Sequence, residues 1–292
     1  MDLDYVYRSR ASQLAAVADI AWLSETVLAV VFADGLIEVI DVDDRSLVSS
    51  FRMDSKTVVG MASTGRESLV IQTKGDGLHH LRIEEGKCLW TVSTKSAVSF
   101  AHPVVVGNMV FCVGSGQSTL VVINLDTAYT EKCIDLTAHG CRGMVAAITA
   151  YGDTVAVLSE SGHVARVSRL GDVVSVDHVI STRSSESVVA TSLSLTADGT
   201  CIVGFSEGEV IMSGSEIFKS RAGIGATDLL DQYLVVGTWR GKLWAVDRHS
   251  KVATDLITPH HSSVTRVASN RVSRVAAASS DGRVSIWYLD SY

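Results

Sequence analysis

Four short constellations in this sequence hold residue types that could do chemistry. Gly204-Phe-Ser-Glu-Gly208 matches the Gly-x-Ser-x-Gly nucleophile elbow, in which a strained strand-to-helix turn lifts a serine beside an oxyanion hole. The next five residues, Glu209-Val-Ile-Met-Ser213, are strand-like and offer no helix N-terminus, so the pentapeptide reads as a hairpin turn. Cys133, His139 and Cys141 lie close in sequence, but zinc needs three or four convergent ligands and no fourth is nearby. Cys141 with His139 could also mimic a thiol-base pair, and an ordinary connecting loop accounts for both equally well. His79 and His80 are consecutive; on a strand they point to opposite faces and cannot chelate together. Gly114-Ser-Gly-Gln-Ser118 lacks the Gly-Lys-Ser/Thr of a phosphate loop. The expectation is a binding protein and not an enzyme, with no catalytic, cofactor-binding or metal-ligating residue and no cofactor.

The elements that would carry these residues are bounded by composition. Hydrophobic residues make up 47% of the 292 and charged residues 20%, a balance that buries a substantial core and argues against disorder. Two prolines stand against 23 glycines, so turns must be made by Gly, Asp, Asn and Ser, which suits tight hairpins. A net charge of −7 opposes a general phosphate-binding surface, and nucleic acid is not an expected partner. The N-terminus lacks a basic region followed by an apolar one, and the five cysteines are scattered and never in Cys-x-x-Cys. Both point to a reduced compartment, cytoplasm or nucleus, with no disulfides. Residues 96–125 contain no Asp, Glu, Lys or Arg, but Pro103 and two Gly-containing turns would expose backbone in lipid. Two buried strands around a turn are expected there, and no membrane association.

A repeat organises the chain. The unit is an apolar strand, a turn, a Val/Ile-rich strand, a short turn usually holding Gly, a third strand and a fourth. The turn between second and third strands recurs at Asp34-Gly35, Asp76-Gly77, Gly116-Gln-Ser118, Ser161-Gly162, Glu207-Gly208, Arg240-Gly241 and Ser280-Asp-Gly282. Seven units spaced at about 40 residues predict an all-β, seven-bladed β-propeller, residues 1–292 as one domain. Segments such as Leu36-Ile-Glu-Val-Ile-Asp41 and Leu120-Val-Val-Ile-Asn-Leu125 are nearly continuous, as strands packed on both faces should be. After Trp287 too few residues remain for a fourth strand in the last blade, whereas Leu3-Asp-Tyr-Val-Tyr-Arg8 is spare at the beginning. Residues 1–10 should therefore close the ring, with residues 3–8 antiparallel to 283–289, and Tyr5 and Tyr7 on one face.

The final unit resembles the WD-repeat family: His260, Val264 opening an inner strand, Ser279, Asp281 and Trp287 occupy the family's motif positions. The resemblance implies a structural tetrad in which the His260 ring bridges Asp281 and Ser279 while the Trp287 indole donates to the serine. Elsewhere the frame persists with other letters, as in Ile40-Asp41 and Val246-Asp247. Gln72-Thr-Lys-Gly-Asp-Gly-Leu78, Ser96-Ala-Val-Ser-Phe-Ala-His102, Gly223-Ile-Gly-Ala, Val236-Gly-Thr-Trp-Arg240 and Ala277-Ala-Ser-Ser-Asp-Gly-Arg-Val-Ser-Ile-Trp-Tyr-Leu289 are similar, in order, to the ASTRA-associated WD-repeat protein and its animal G-protein-β-like relative. That implies a non-catalytic protein–protein interaction scaffold, a complex subunit assisting the co-chaperone assembly of phosphatidylinositol-3-kinase-related kinases. Glu85-Gly-Lys-Cys-Leu-Trp90 and residues 234–247 also resemble quinoprotein-like repeats, which keeps a propeller of that group as the alternative. Trp239 and Arg240, side by side in a turn, are the expected partner-binding residues, since Trp and Arg are enriched at binding hot spots.

Overall fold

Short β-branched segments separated by Gly, Asp, Asn and Ser give strands and turns and almost nothing else. In the computed structural model they form seven four-stranded antiparallel sheets, a seven-bladed β-propeller. The structure describes residues 1–9, 15–53, 57–75, 77–93, 101–114, 116–182, 188–256 and 260–288. Asp76, residues 96–100, and Leu289 with the residues after it, on which some of the sequence expectations fall, lie outside these. Among the described residues the one helical element is a short 3-10 turn, Leu136–His139, and no helix is long and apolar enough to cross a membrane.

Each blade is a meander running outward from the ring axis. The inner strands are Val17–Trp22, Val58–Ser63, Val104–Val106, Val145–Tyr151, Ala190–Leu195, Ile224–Leu230 and Val264–Ser269. Residues 96–125 hold three strands of the third blade, one more than expected: Val104–Val106, Met109–Val113 and Thr119–Asn124. The extra strand is the short inner one after Pro103.

The last blade breaks the meander as expected. Its outermost strand is Asp2–Arg8, antiparallel to Arg283–Tyr288 with Leu3 opposite Trp287, Tyr7 opposite Val284 and Arg8 opposite Arg283. Tyr5 and Tyr7 share a face, their ring centroids 6.4 Å apart, and pack against the core between the last and first blades. The Tyr7 hydroxyl donates to Glu38 Oε2 at 2.7 Å and the Ser9 hydroxyl to Oε1 at 2.9 Å. Glu38 is a buried residue of the first blade's third strand. The closing strand therefore completes one blade through its backbone and grips the next through its side chains.

The hydrophobic core is divided into clusters, one at each junction of adjacent blades. Leu28, Val30 and Phe32 meet Ala276, Ala278 and Ile286 at the seventh–first junction, and Ala277 and Trp287 face Leu230 and Val235 at the sixth–seventh. Burial on both faces explains the unbroken Val/Ile runs of the middle strands. Each fully buried Val, Leu, Ile or Phe side chain contributes about 1.5–3 kcal/mol.

Six inner strands share a β-bulge after their first residue: at Val17/Asp19, Val58/Gly60, Val145/Ala147, Ala190/Ser192, Ile224/Ala226 and Val264/Arg266. A bulge re-aims the side chain beyond it. Repeated around the ring, the bulges set Asp19, Gly60, Ala147, Ser192, Ala226 and Arg266 at one tier around the axis. At the far end of the inner strands, Arg271 of the seventh blade reaches the fourth, on the other side of the ring. Its Nη2 donates to Ala150 O at 2.9 Å and its guanidinium lies 4.6 Å from the Tyr151 ring centroid.

Candidate functional site

At the ring's other end, where the turns between second and third strands lie, a cavity of about 770 Å³ opens along the axis. Its wall is largely apolar, from residues such as Val17, Val58, Val145 and Val264, and its polar groups include Thr191, Thr227, His102 and Arg266. Trp239 stands at the rim in the sixth blade's turn and is 47% exposed. Its indole is seated against the neighbouring backbone. A Cβ on Gly223 would come 2.5 Å from the ring's Cε3, and one on Gly225 3.2 Å from Cδ1. Gly223 also binds the turn directly, since Trp239 N–H donates to Gly223 O at 2.9 Å and Ser263 Oγ donates to Trp239 O at 2.7 Å. Arg240, the next residue, is exposed. Residue type alone singles out Trp239 in the sequence; the glycine seat, 14 to 16 residues upstream, carries no local signal.

Behind the cavity wall lies a polar hub that sequence reasoning missed, reached from the cavity by His102 and Arg266. Asp19 is fully buried, yet both of its oxygens are engaged. Oδ1 accepts from Ile20 N–H at 2.8 Å, and Oδ2 accepts from Met61 N–H of the second blade at 2.7 Å. His102 Nδ1, from the third blade, lies 2.5 Å from Oδ2, and Arg266 Nε, from the seventh, lies 3.0 Å from Oδ1. The Arg266 contact is an ion pair in distance without hydrogen-bond alignment. Burial alone would raise the Asp19 carboxyl; the charges of His102 and Arg266, with two aligned hydrogen bonds, hold it below the usual carboxylate range. His102 passes over the second blade because Gly60 has no side chain: a Cβ there would sit 2.9 Å from its Nδ1.

Asp228 repeats the backbone part of this arrangement, accepting from Leu229 N–H at 2.8 Å and from Ser269 N–H of the next blade at 2.7 Å. Without a partner as close as His102, burial pushes its carboxyl up.

The tetrad residues come together with a different pairing. His260 Nε2 meets Ser285 Oγ at 2.5 Å, not Ser279, and His260 Nδ1 is buried without a hydrogen bond. The Ser279 hydroxyl is taken by Asp281, which also accepts from His261 N–H at 3.0 Å and Arg283 N–H at 3.2 Å. The His260 and Trp287 rings lie 6.5 Å apart and tilted. A turn carboxylate two residues beyond Ser279 satisfies the serine locally, so the imidazole turns to the hydroxyl on the third strand. Burial lowers His260 to about 4.

The remaining constellations are structural. Ser206 sits in a hairpin between Cys201–Phe205 and Glu209–Met212, its Oγ accepting from Val189 N–H at 3.0 Å. Cys133 and His139 are exposed whereas Cys141 is buried, and no group of three or more metal-ligating side chains occurs among the described residues. His79 pairs with Thr73 and Thr91, His80 with Ser68. All five cysteines are free thiols.

Two solved structures share this fold. The β-propeller domain of Myceliophteria thermophila Cps50 (Swd1) superposes with a TM-score of 0.77 at 14% identity, covering 99% of each chain. The computationally designed Ika8 protein superposes with a TM-score of 0.73 at 18% identity, over 94% of this chain and 97% of the other. Such identities carry the fold alone. No curated protein matches this chain, so the narrower likeness to the ASTRA-associated proteins rests on the sequence stretches quoted above. The family model described as outer membrane protein assembly factor BamB (PQQ_2) matches residues 33–252, from the first blade's central turn to the sixth blade. With three quarters of its length under that model, the chain belongs to the BamB-type PQQ_2 family of repeat propellers.

Proposed function

We propose that this protein is a non-catalytic interaction scaffold of the cytoplasm or nucleus that holds a segment of a partner protein over the cavity mouth, with Trp239 as the anchor. The observation that carries this reading is the half-exposed Trp239 indole at the rim of the cavity, held from behind by Gly223 and Gly225. A large aromatic side chain already ordered in the free protein costs little entropy to bind. The propeller supports the reading in a general way, as a rigid frame presenting loops from one face. Membership of a family described as an assembly factor supports the same class of function.

The narrower reading, a subunit assisting co-chaperone assembly of phosphatidylinositol-3-kinase-related kinases, is supported by the quoted stretches that include Trp239 and the final blade. Affinity purification from cells with mass spectrometry tests both levels, comparing wild type with Trp239→Ala after circular dichroism shows both folded. The expected result is loss of the partner from the variant, as removal of a hot spot worth about 2 kcal/mol gives roughly thirtyfold weaker binding. Unchanged recovery would remove Trp239 as the anchor. Kinase-maturation co-chaperones among the lost proteins support the narrower reading, and a different complex leaves the general one. A quinone absorbance in the purified protein would overturn the non-catalytic reading.

A further inference from the structure

We propose that Arg266 and His102 form a carboxylate-binding site inside the axial cavity, taking the side chain of an Asp or Glu in the partner segment that Trp239 anchors. The inference rests on the scaffold reading and adds the chemistry of what enters.

Both residues line the cavity, and each is oriented from behind by the same buried carboxylate of Asp19. Asp19 engages only one nitrogen of each. The Arg266 Nη groups and His102 Nε2 make no hydrogen bond among the described residues. The Arg266 guanidinium is thus held beside His102 with its Nη donors outside the Asp19 contact, and His102 Nε2 adds a second donor in the imidazolium form. An occupant that covered the Arg266 Nη donors without accepting from them would leave them buried and unmatched, so the site favours an acceptor over an apolar occupant. A planar carboxylate matches the edge of a guanidinium, where two parallel N–H groups can be met at once.

The surroundings set the size and charge of the acceptor. The rest of the wall is mostly aliphatic, suited to the methylene stem of Asp or Glu, with Thr191, Thr227 and Thr265 hydroxyls between. Glu160 at the rim disfavours a multiply charged anion such as phosphate, which would bring two negative charges past it. Asp19 already offsets the Arg266 charge, so an added carboxylate is balanced only with the His102 ring as the imidazolium. Trp239 and Arg266 border one cavity, so a single short segment can meet both.

The test is selection of random peptides against the full chain, with a parallel selection on Trp239→Ala, followed by affinity measurements. Expected are Trp239-dependent peptides sharing one Asp or Glu, whose replacement by Asn or Gln weakens binding roughly tenfold or more. Arg266→Lys keeps a positive charge beside Asp19 but removes the fork, and should weaken the same peptides while the Asn or Gln peptides bind both proteins alike. The peptide-side exchange leaves the protein untouched, so it decides the matter even where an Arg266 variant folds poorly. Trp239-dependent peptides with no shared acidic residue would overturn the carboxylate site and leave the scaffold reading standing. Peptides indifferent to Trp239 would overturn the scaffold reading. Succinate serves as the small-molecule arm, read by the His102 ring signals in NMR. A response to succinate without acidic peptides assigns the site to a free carboxylate and overturns the partner segment as its source; no response to either overturns the site.

Discussion

Asp19 Oδ2 and His102 Nδ1 lie 2.5 Å apart although the whole second blade lies between them in the chain. With Met61 N–H and Arg266 added, one carboxylate joins the seventh, first, second and third blades. Asp19→Ala removes the acceptor and leaves the Arg266 charge without its partner. The expected loss is about 3–5 kcal/mol, measured by urea unfolding. Asp19→Asn keeps an acceptor for one of the backbone N–H groups and should cost less. Because the folded carboxyl titrates below its ordinary value, the stability it adds is present above about pH 4 and lost as pH falls through the folded value. The gap between wild type and Asp19→Asn should therefore narrow on acidification below about pH 4.

His260 should titrate with the same sign at a higher pH. Its neutral form is favoured in the folded state, where burial lowers it to about 4, against about 6.5 in the unfolded chain. Stability from this residue is complete above about pH 6.5 and declines between there and about pH 4. At about pH 7, His260→Ala should cost about 1–3 kcal/mol through loss of the Ser285 contact. Thermal melts across that window should show the wild type falling toward the variant; parallel curves would disprove the buried neutral imidazole.

Gly60→Ala places a methyl group 2.9 Å from His102 Nδ1 and 3.2 Å from its Cα. The ring must leave Asp19, at an expected cost of about 1–3 kcal/mol. In a double-mutant cycle with His102→Gln the two losses should not add, since both break one contact.

Deleting residues 1–10 should expose the edge of Arg283–Tyr288 and free Glu38 from Tyr7 and Ser9. An unpaired strand edge invites pairing with other chains. A lower melting temperature and aggregation in light scattering are expected. Tyr7→Phe, which keeps the ladder, should cost only about 1–3 kcal/mol and stay monomeric.

Ring closure was legible in the sequence because it depends on counting: a spare aromatic strand at one end, a missing strand at the other. The blades were legible because each repeats the same local chemistry, apolar strand then Gly-containing turn. Asp19 was not. In Val17-Ala-Asp-Ile-Ala-Trp22 the acid passes for the solvent-facing residue of an alternating strand, and its partners His102 and Arg266 stand 83 and 247 residues away. Nor does any residue type announce the inner-strand bulge that turns Asp19 to the axis. The His260 pairing failed for a local reason: Ser279 and Ser285 are both buried serines of the last blade, and the Asp281 contact that chooses between them is a matter of geometry.

The contact of Arg271 with Ala150 and Tyr151 lays a bridge across the ring at the end opposite the cavity mouth. A polypeptide cannot be threaded through without breaking that bridge, so only a tip, a bend or a single side chain can descend, and it must withdraw by the way it came. On the proposed function, a segment holding the mouth at Trp239 would also control escape from the bottom, and two partners would compete for the protein even if they touched different walls.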